Sequence, residues 1–210
     1  GSYLHNPLLV DSKHSFILTQ GPLDTTVNCF WRMVDTQAVE SIVCIVETAS
    51  LGSRCAKYWP STKAKTDSYE IETQSSTKNS LFHKKEFALT NTTSKVAKSV
   101  HHYHIFNWID FSTLTGADIN GLLGLIEQLY EEQSKRWSPI VVHCSAGVGR
   151  SGTFAAVYFA YEYWRQCKRE GTEFKVSVFD LVLKMRGMRY GLVQTAQQYK
   201  FIYMLIGMFK

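Results

Sequence analysis

The sequence lacks any run of apolar residues long enough to cross a membrane, and no secretory signal opens it. We therefore predict no membrane association within this chain. A strong charge imbalance is also absent, because 23 Lys and Arg against 18 Asp and Glu leave a formal net charge of +5. This excess is too small to indicate a nucleic-acid-binding protein, but it suits an anionic ligand.

The cysteines of the chain show no pairing pattern. The chain has an odd number of cysteines, five, and they are widely spaced: Cys29, Cys44, Cys55, Cys144 and Cys167. A disulfide framework needs paired cysteines and a structural zinc site needs closely spaced ligands, so the sequence indicates neither. We expect no metal, no cofactor and a reducing compartment such as the cytoplasm.

Length and composition indicate one globular domain. A chain of 210 residues, 45% hydrophobic and 20% charged, can bury a sizeable core without dividing into two. We take residues 1–210 as this domain, with an incomplete N-terminus. The chain from residue 3 to the first strand is predicted to be irregular. Apolar runs and period-two alternation predict strands at 16–18, 41–46, 69–72, 87–90 and 100–106. Helical spacing of apolar residues predicts helices from 24, over 119–130, from 150 to about 171, over 178–185 and after 195.

A cluster of histidines on the strand predicted at 100–106 suggests a metal site at first sight. Adjacent strand residues face opposite sides, so only His102 and His104 share a face, while His101 faces away. A third ligand is not evident. We interpret these as ordinary sheet histidines.

The stretch 140–152, Ile-Val-Val-His-Cys-Ser-Ala-Gly-Val-Gly-Arg-Ser-Gly, organises the chain. Its apolar β-branched start predicts a buried strand, and helical periodicity begins at its end. Backbone N–H groups at a helix N-terminus favour an anion, and Gly147 and Gly149 permit the positive φ of a concave anion-binding loop. Arg150 adds a two-pronged donor suited to phosphate oxygens.

Such a positive environment favours the thiolate of Cys144, since it can lower a thiol pKa from about 8.5 to roughly 3.5–7.5. A thiolate in a phosphate-binding loop suggests phosphoryl transfer through a cysteinyl-phosphate. Two other interpretations are weaker. A dinucleotide-binding Gly-x-Gly-x-x-Gly fits the spacing, but it normally opens its domain and needs an acidic residue ending the next strand. A buried structural cysteine leaves Arg150 and the two glycines unexplained.

Motifs along nearly the whole chain resemble those of the tyrosine-specific cysteine phosphatases. The family signature of His-Cys, five residues, Arg, and then Ser or Thr is matched from His143 to Ser151. Further family-like motifs follow in the family's order: Thr19-Gln20-Gly21-Pro22, Phe30-Trp31-Arg32-Met33-Val34, Tyr58-Trp59-Pro60, Trp108-Ile109-Asp110 and Val193-Gln194-Thr195 with Gln198.

The resemblance implies a single α/β domain with a central twisted mixed sheet flanked by helices. It also implies metal-independent hydrolysis of phosphotyrosine in proteins, as part of signal transduction. In the family's scheme Cys144 is the nucleophile, Asp110 the general acid, Arg150 the oxyanion ligand, and Gln194 orients the hydrolytic water.

The other predicted site residues surround these four. The resemblance assigns substrate binding to the signature loop and to a weaker candidate near the C-terminus: Ser145, Ala146, Gly147, Val148, Gly149, Arg150 and Gln198. Ser151 is expected to hydrogen-bond Cys144 and stabilise its thiolate. His143 is expected to orient the loop, and Trp108 frames the mobile loop that delivers Asp110.

The resemblance is incomplete in three places. The family's Lys-Asn-Arg-Tyr stretch, whose ring stacks on the substrate phenol, has no counterpart. The glutamate that braces the signature arginine falls on Ala49 or Ser50 in a gapless alignment, and the nearest acid is Glu47. Ile109 replaces the proline of the Trp-Pro-Asp loop, which changes the conformations open to that loop.

These departures keep a non-catalytic or weakly active phosphotyrosine-binding module open as the main alternative. A phosphoinositide phosphatase is a less favoured one, because its loop usually carries lysines between Cys and Arg, and Ser-Ala-Gly-Val-Gly has none. RNA triphosphatases share the loop but not the other motifs.

Overall fold

The computed structural model describes residues 1–209, which form one eight-stranded mixed sheet flanked by helices. The strands run in the spatial order β1-β2-β8-β3-β7-β6-β5-β4. Their bounds are β1 Ser2–His5, β2 Ser15–Gln20, β3 Ser41–Ile45, β4 Lys63–Lys65, β5 Tyr69–Lys78, β6 Phe82–Asn91, β7 Ala97–Ile105 and β8 Ile140–Cys144. Strands β2, β8, β3 and β7 are parallel neighbours, and the remaining pairs are antiparallel.

Helices cover both faces of the sheet. Their bounds are α1 Val27–Thr36, α2 Ala117–Arg136, α3 Gly149–Glu170, α4 Val178–Met188 and α5 Ala196–Ile206. One apolar cluster packs helices α2, α3, α4 and α5 against one face of the sheet. The other packs α1 against the opposite face. Neighbouring residues of β3 show this division, since Val43 belongs to the first cluster and Ile42 to the second. The predicted fold class is confirmed.

Two local predictions near the N-terminus are wrong. The chain before residue 16 was expected to be irregular, but β1 pairs antiparallel with β2 because Leu4 is buried and the backbone satisfies its hydrogen bonds in the ladder. The helix expected from Asp24 begins as a 3-10 turn and becomes α-helical only at Val27. Neither Asp24 nor Thr25 caps it, because Thr26 Oγ1 accepts from the backbone of Leu23.

The parallel strands bring the predicted motifs to one edge of the sheet. Strands β2, β8 and β3 end at Gln20, Cys144 and Ile45, and β7 ends at Ile105. Carboxyl ends of parallel strands are the usual place for ligands in α/β proteins, because the connecting loops converge there.

The predicted facing of the sheet histidines is confirmed. His102 and His104 are buried on one face, whereas His101 is half-buried on the other. Within residues 1–209 no group of three or more His, Cys, Asp or Glu side chains is arranged to hold a metal ion. Among the same residues no helix is long and apolar enough to cross a membrane.

Candidate active site

Cys144 is the last residue of β8 and opens the loop 144–150, the cysteine loop, which continues into α3. Its side chain is buried, and the backbone N–H of Gly147 donates a 3.2 Å hydrogen bond to Sγ. The predicted sequence of strand, loop and helix N-terminus is therefore present around this thiol.

The carbonyl groups of residues 144–148, in the first part of the cysteine loop, are engaged by donors outside it. The Gly21 amide binds the carbonyls of Cys144 and Ser145 at 2.9 and 3.0 Å. Arg189 binds those of Ala146 and Gly147 at 3.3 and 2.9 Å, and the Val193 amide binds that of Val148 at 3.1 Å. In a planar trans peptide the N–H points opposite to the C=O. With the carbonyls held on the outside, the amides of this loop face its concave side, which makes a binding site for an anion.

Two glycines of the loop are required for different reasons. Gly147 has φ +71°, and a Cβ there would lie 2.1 Å from the carbonyl oxygen of Thr19, so this position needs glycine as predicted. Gly149 does not have the positive φ that the sequence suggested, because it is already the first residue of α3. A Cβ at Gly149 would instead lie 2.5 Å from Oε1 of Gln194. Its hydrogen side chain makes room for that glutamine.

The Arg150 side chain is completely buried. Nη1 donates to the carbonyl of Trp108 at 2.8 Å, and Nη2 donates to Ser145 Oγ at 3.0 Å. Nη2 also lies 3.1 Å from Asp110 Oδ1. Its Nε finds no hydrogen-bond partner within residues 1–209. The arginine therefore joins the cysteine loop to the residues around Asp110.

Asp110 lies in the loop 108–112, the tryptophan loop, which follows β7. Trp108 is fully buried, and its Nε1 donates to the carbonyl of Ser112 at 3.0 Å. Ile109 and Phe111 are exposed, and Phe111 takes φ +61°. Asp110 has a second cationic partner, since its Oδ2 is 3.0 Å from Arg54 Nη1. The loop carries the predicted acid to the cysteine loop without the proline of the related family.

Glu47 is a site residue that the sequence analysis considered and left without a role. Its Oε2 accepts from the backbone N–H of Asp110 at 3.2 Å, and its Oε1 accepts from Ser50 Oγ at 2.6 Å. It does not brace the signature arginine, whose carboxylate partner is Asp110. Glu47 instead binds the tryptophan loop directly. A carboxylate two or three residues before the expected position was the signal in the sequence.

His143 contacts the backbone of the cysteine loop. Its Nδ1 lies 3.3 Å from the carbonyl of Cys144, and its Nε2 lies 2.7 Å from the hydroxyl of Tyr58. Burial lowers the pKa of His143 to about 4, so the ring is neutral at pH 7. With its single proton on Nδ1, Nε2 accepts from Tyr58, and that hydroxyl then accepts from Nε2 of His102 at 2.9 Å.

The C-terminal candidates have separate positions. Gln194 is exposed, with Oε1 close to Gly149. Gln198 is fully buried, and its Oε1 accepts from the amides of Gln194 and Thr195 at 3.0 and 3.3 Å. This bond to Thr195 completes the capping box of α5, so Gln198 has a structural role in that helix. Its Nε2 has no partner within residues 1–209 and lies beside Gly149.

The expected hydrogen bond from Ser151 to Cys144 is not formed. Ser151 Oγ is buried and has no hydrogen-bond partner within the described chain. The thiol accepts from the Gly147 amide instead, because the tight turn of the loop brings that N–H to the sulfur. Arg189 has a role that no motif in the sequence indicated, since it holds two loop carbonyls although it lies more than 40 residues away in the chain.

Comparison with known proteins supports the resemblance of these motifs. The model of the protein-tyrosine phosphatase family matches residues 1–207. The chain is 31% identical over 196 residues to mouse tyrosine-protein phosphatase non-receptor type 5, covering 93% of this chain and 35% of that protein. It is 32% identical over 196 residues to tyrosine-protein phosphatase 2 of Dictyostelium discoideum, covering 91% and 51%. The chain thus spans between a third and a half of these curated relatives.

Proposed function

The chain belongs to the protein-tyrosine phosphatase family, and we propose that it hydrolyses phosphotyrosine in proteins through a cysteinyl-phosphate. One observation carries the proposal: the thiol of Cys144 lies in a loop in which the carbonyls of residues 144–148 are held by donors outside the loop. The inward amides and the buried Arg150 suit the equatorial oxygens of a phosphate. The names of the relatives support the same substrate class.

In the first step the thiolate of Cys144 attacks phosphorus in line with the phenolic oxygen. The S–P bond forms as the P–O bond breaks, and the electron pair of that bond goes to the phenolic oxygen. Asp110 in its acid form donates a proton to this oxygen, because a phenolate is a poor leaving group without one. The loop amides, the Arg150 guanidinium and Ser145 next to it stabilise the charge on the transferred phosphoryl group.

In the second step water attacks the cysteinyl-phosphate and the P–S bond breaks. Asp110, now a carboxylate, takes the proton of the water that Gln194 orients. Inorganic phosphate leaves and Cys144 returns as a thiolate. Gln194 is suited to this task because its amide lies beside Gly149, at the mouth of the cysteine loop. Gln198 supports it by holding the Gln194 backbone.

We place this activity in signal transduction, in a reducing compartment such as the cytoplasm or the cytoplasmic face of a membrane. All five cysteines are free thiols, and a nucleophilic Cys144 must stay reduced to act. The chemistry needs no metal or other cofactor. We expect no binding of nucleic acid, because the net charge of +5 is small for a chain of this length.

A weakly active or non-catalytic phosphotyrosine-binding module is the second candidate. The ion pairs of Asp110 with Arg150 and Arg54 favour it, since both carboxylate oxygens are already bonded to guanidinium groups and not directed at a leaving group. Substrate oxygens that bind Arg150 would release Asp110 from one of these pairs. This displacement favours the catalytic function over the binding module.

The test is a turnover assay with phosphotyrosine peptide, phosphoserine peptide and phosphoinositide, using the wild type and Cys144→Ser. We expect turnover of phosphotyrosine alone, and no turnover but retained peptide binding with Cys144→Ser. Binding without turnover in the wild type would establish the module instead. Preference for phosphoinositide would contradict both candidates.

A further inference from the structure

A groove of about 440 Å³ lies at the same edge of the sheet as Cys144 and carries only basic ionisable groups. Its basic residues are Lys57, Lys78, His83, Lys85 and His104, and its remaining lining is apolar, aromatic or hydroxyl-bearing. No Asp or Glu side chain lines it. A groove with cations and no carboxylates is complementary to an anionic ligand.

Lys85 is the residue that a purely structural explanation leaves unaccounted for. It is only 8% exposed, yet its Nζ binds a neutral group, the carbonyl of Pro60, at 3.2 Å. The ion pairs among residues 1–209 do not include Lys57, Lys78 or Lys85. Buried charges in proteins are normally paired, so this lysine lacks the counter-ion that its burial calls for.

The surroundings of the groove confirm that its field is positive. Burial, and then Lys57, lower the pKa of Lys85. Burial, and then Lys85 and Lys78, lower the pKa of His83. Lys78 Nζ lies 4.7 Å from the ring centroid of Phe106, which fixes this charge at the groove wall. A bound anion would relieve the mutual repulsion of these cations.

The topology of the sheet places this groove within reach of a bound substrate. His83 on β6 pairs with His104 on β7, and Lys78 on β5 pairs with His83, so all three lie at the end of the sheet where Cys144 ends β8. Between β8 and β6 there are three strand spacings, roughly 14 Å in total. An extended peptide covers this distance in about four residues.

The groove also adjoins the tryptophan loop. Phe106, in its lining, is two residues before Trp108, and Thr48 follows Glu47, which binds the Asp110 amide. A peptide whose phosphotyrosine enters the cysteine loop would therefore pass this loop before reaching the groove.

We propose that this groove is a second anion site that binds an acidic side chain of the substrate protein, about four residues from the phosphotyrosine in an extended segment. The proposal rests on the proposed function, because it takes the phosphotyrosine segment as the ligand. Lys85 at the base of the groove and Lys57 and Lys78 at its rim supply the charge. The site gives the phosphatase a preference among phosphotyrosine sequences.

The experiment compares three phosphotyrosine peptides: one with alanines only, one with glutamate four residues before the phosphotyrosine, and one with glutamate four residues after it. A small aryl phosphate, too short to reach the groove, reports the chemical step alone. The variant is Lys57→Glu/Lys78→Glu, which changes two exposed side chains. Lys135, near the end of α2, is also exposed but lies at the opposite end of the sheet, so Lys135→Glu serves as the matched control.

We expect one of the glutamate peptides to have a KM about 5- to 10-fold lower than the alanine peptide, since a few partly exposed ion pairs act together. The double variant should abolish this difference and leave the aryl phosphate rate unchanged, while Lys135→Glu keeps the difference. Equal KM values for the three peptides in the wild type, or a difference that survives in the double variant, would overturn the proposal.

Direct binding of the same peptides to Cys144→Ser, measured by calorimetry, separates this proposal from the proposed function. If Cys144→Ser binds the glutamate peptide more tightly but the wild type does not hydrolyse the aryl phosphate, the result would contradict the proposed hydrolysis and support the groove. If Cys144→Ser binds all three peptides with equal affinity and the wild type hydrolyses the aryl phosphate, the result would contradict the groove and support the hydrolysis.

Discussion

The carboxylate of Asp110 lies between two guanidinium groups, with Oδ1 3.1 Å from Arg150 Nη2 and Oδ2 3.0 Å from Arg54 Nη1. The proposed general acid and the proposed oxyanion ligand are thus bonded to each other before substrate enters. A phosphate that binds Arg150 competes with Asp110 for the same nitrogen. Substrate binding and release of the acid are therefore coupled by one shared donor.

Asp110→Asn should slow phosphotyrosine hydrolysis by at least about 100-fold, within the usual range for loss of a general acid. An aryl phosphate with a strongly acidic phenol should lose much less, because its leaving group needs no proton. The measurement is kcat for both substrates. Equal losses would assign Asp110 to binding or folding rather than proton transfer.

Glu47→Ala should slow phosphotyrosine turnover by about 10-fold, the value of one hydrogen bond to a charged acceptor. The tryptophan loop then loses the acceptor of its Asp110 amide, and Ile109 does not restrict the loop as proline does. Glu47→Gln keeps an oxygen acceptor and should lose less. The acidic-phenol substrate should change by less than about 2-fold in both variants. A loss shared by both substrates would indicate a general structural role.

Gly147→Ala should destabilise the protein by about 1–3 kcal/mol or more and abolish phosphate binding. The new Cβ would meet the carbonyl of Thr19 at 2.1 Å, and φ +71° is strained for alanine. Gly187→Ala is the control, because its Cβ would meet nothing within 4 Å and its position is helical. It should be neutral or stabilising by up to about 1 kcal/mol. Urea unfolding of both variants measures the difference.

Stability should fall as the pH falls from about 6.5 towards 4. Burial lowers the pKa of His14 and of His143 to about 4, so in this window the unfolded chain binds protons that the folded chain does not. Each histidine can remove up to about 3 kcal/mol by pH 4. Glu162 opposes this trend in part, because burial raises its pKa.

The variant His14→Gln tests this pH dependence, because glutamine does not titrate. Its free energy of unfolding should fall less steeply than that of the wild type between pH 6.5 and 4, by up to about 1.4 kcal/mol per pH unit. Denaturant unfolding at a series of pH values gives both slopes. Parallel slopes would show that His14 is already protonated in the folded protein near pH 6.

The sequence alone determined the parts of the protein that depend on local pattern. The strand before Cys144, the helix after Arg150 and the helix after Thr195 follow from residues within one or two turns of each other. The facing of His102 and His104 follows from strand alternation. These predictions held because each depends on side-chain period and backbone hydrogen bonding, which act over short separations.

Tertiary structure decided the contacts that join distant segments. It placed Arg189 on the cysteine loop carbonyls, Glu47 on the Asp110 amide and Gln194 beside Gly149. It also paired β1 with β2 and gathered lysines from three segments into one groove. Residue types in the sequence do not state which partner a carboxylate or guanidinium meets, because that depends on the register and packing of strands far apart in the chain.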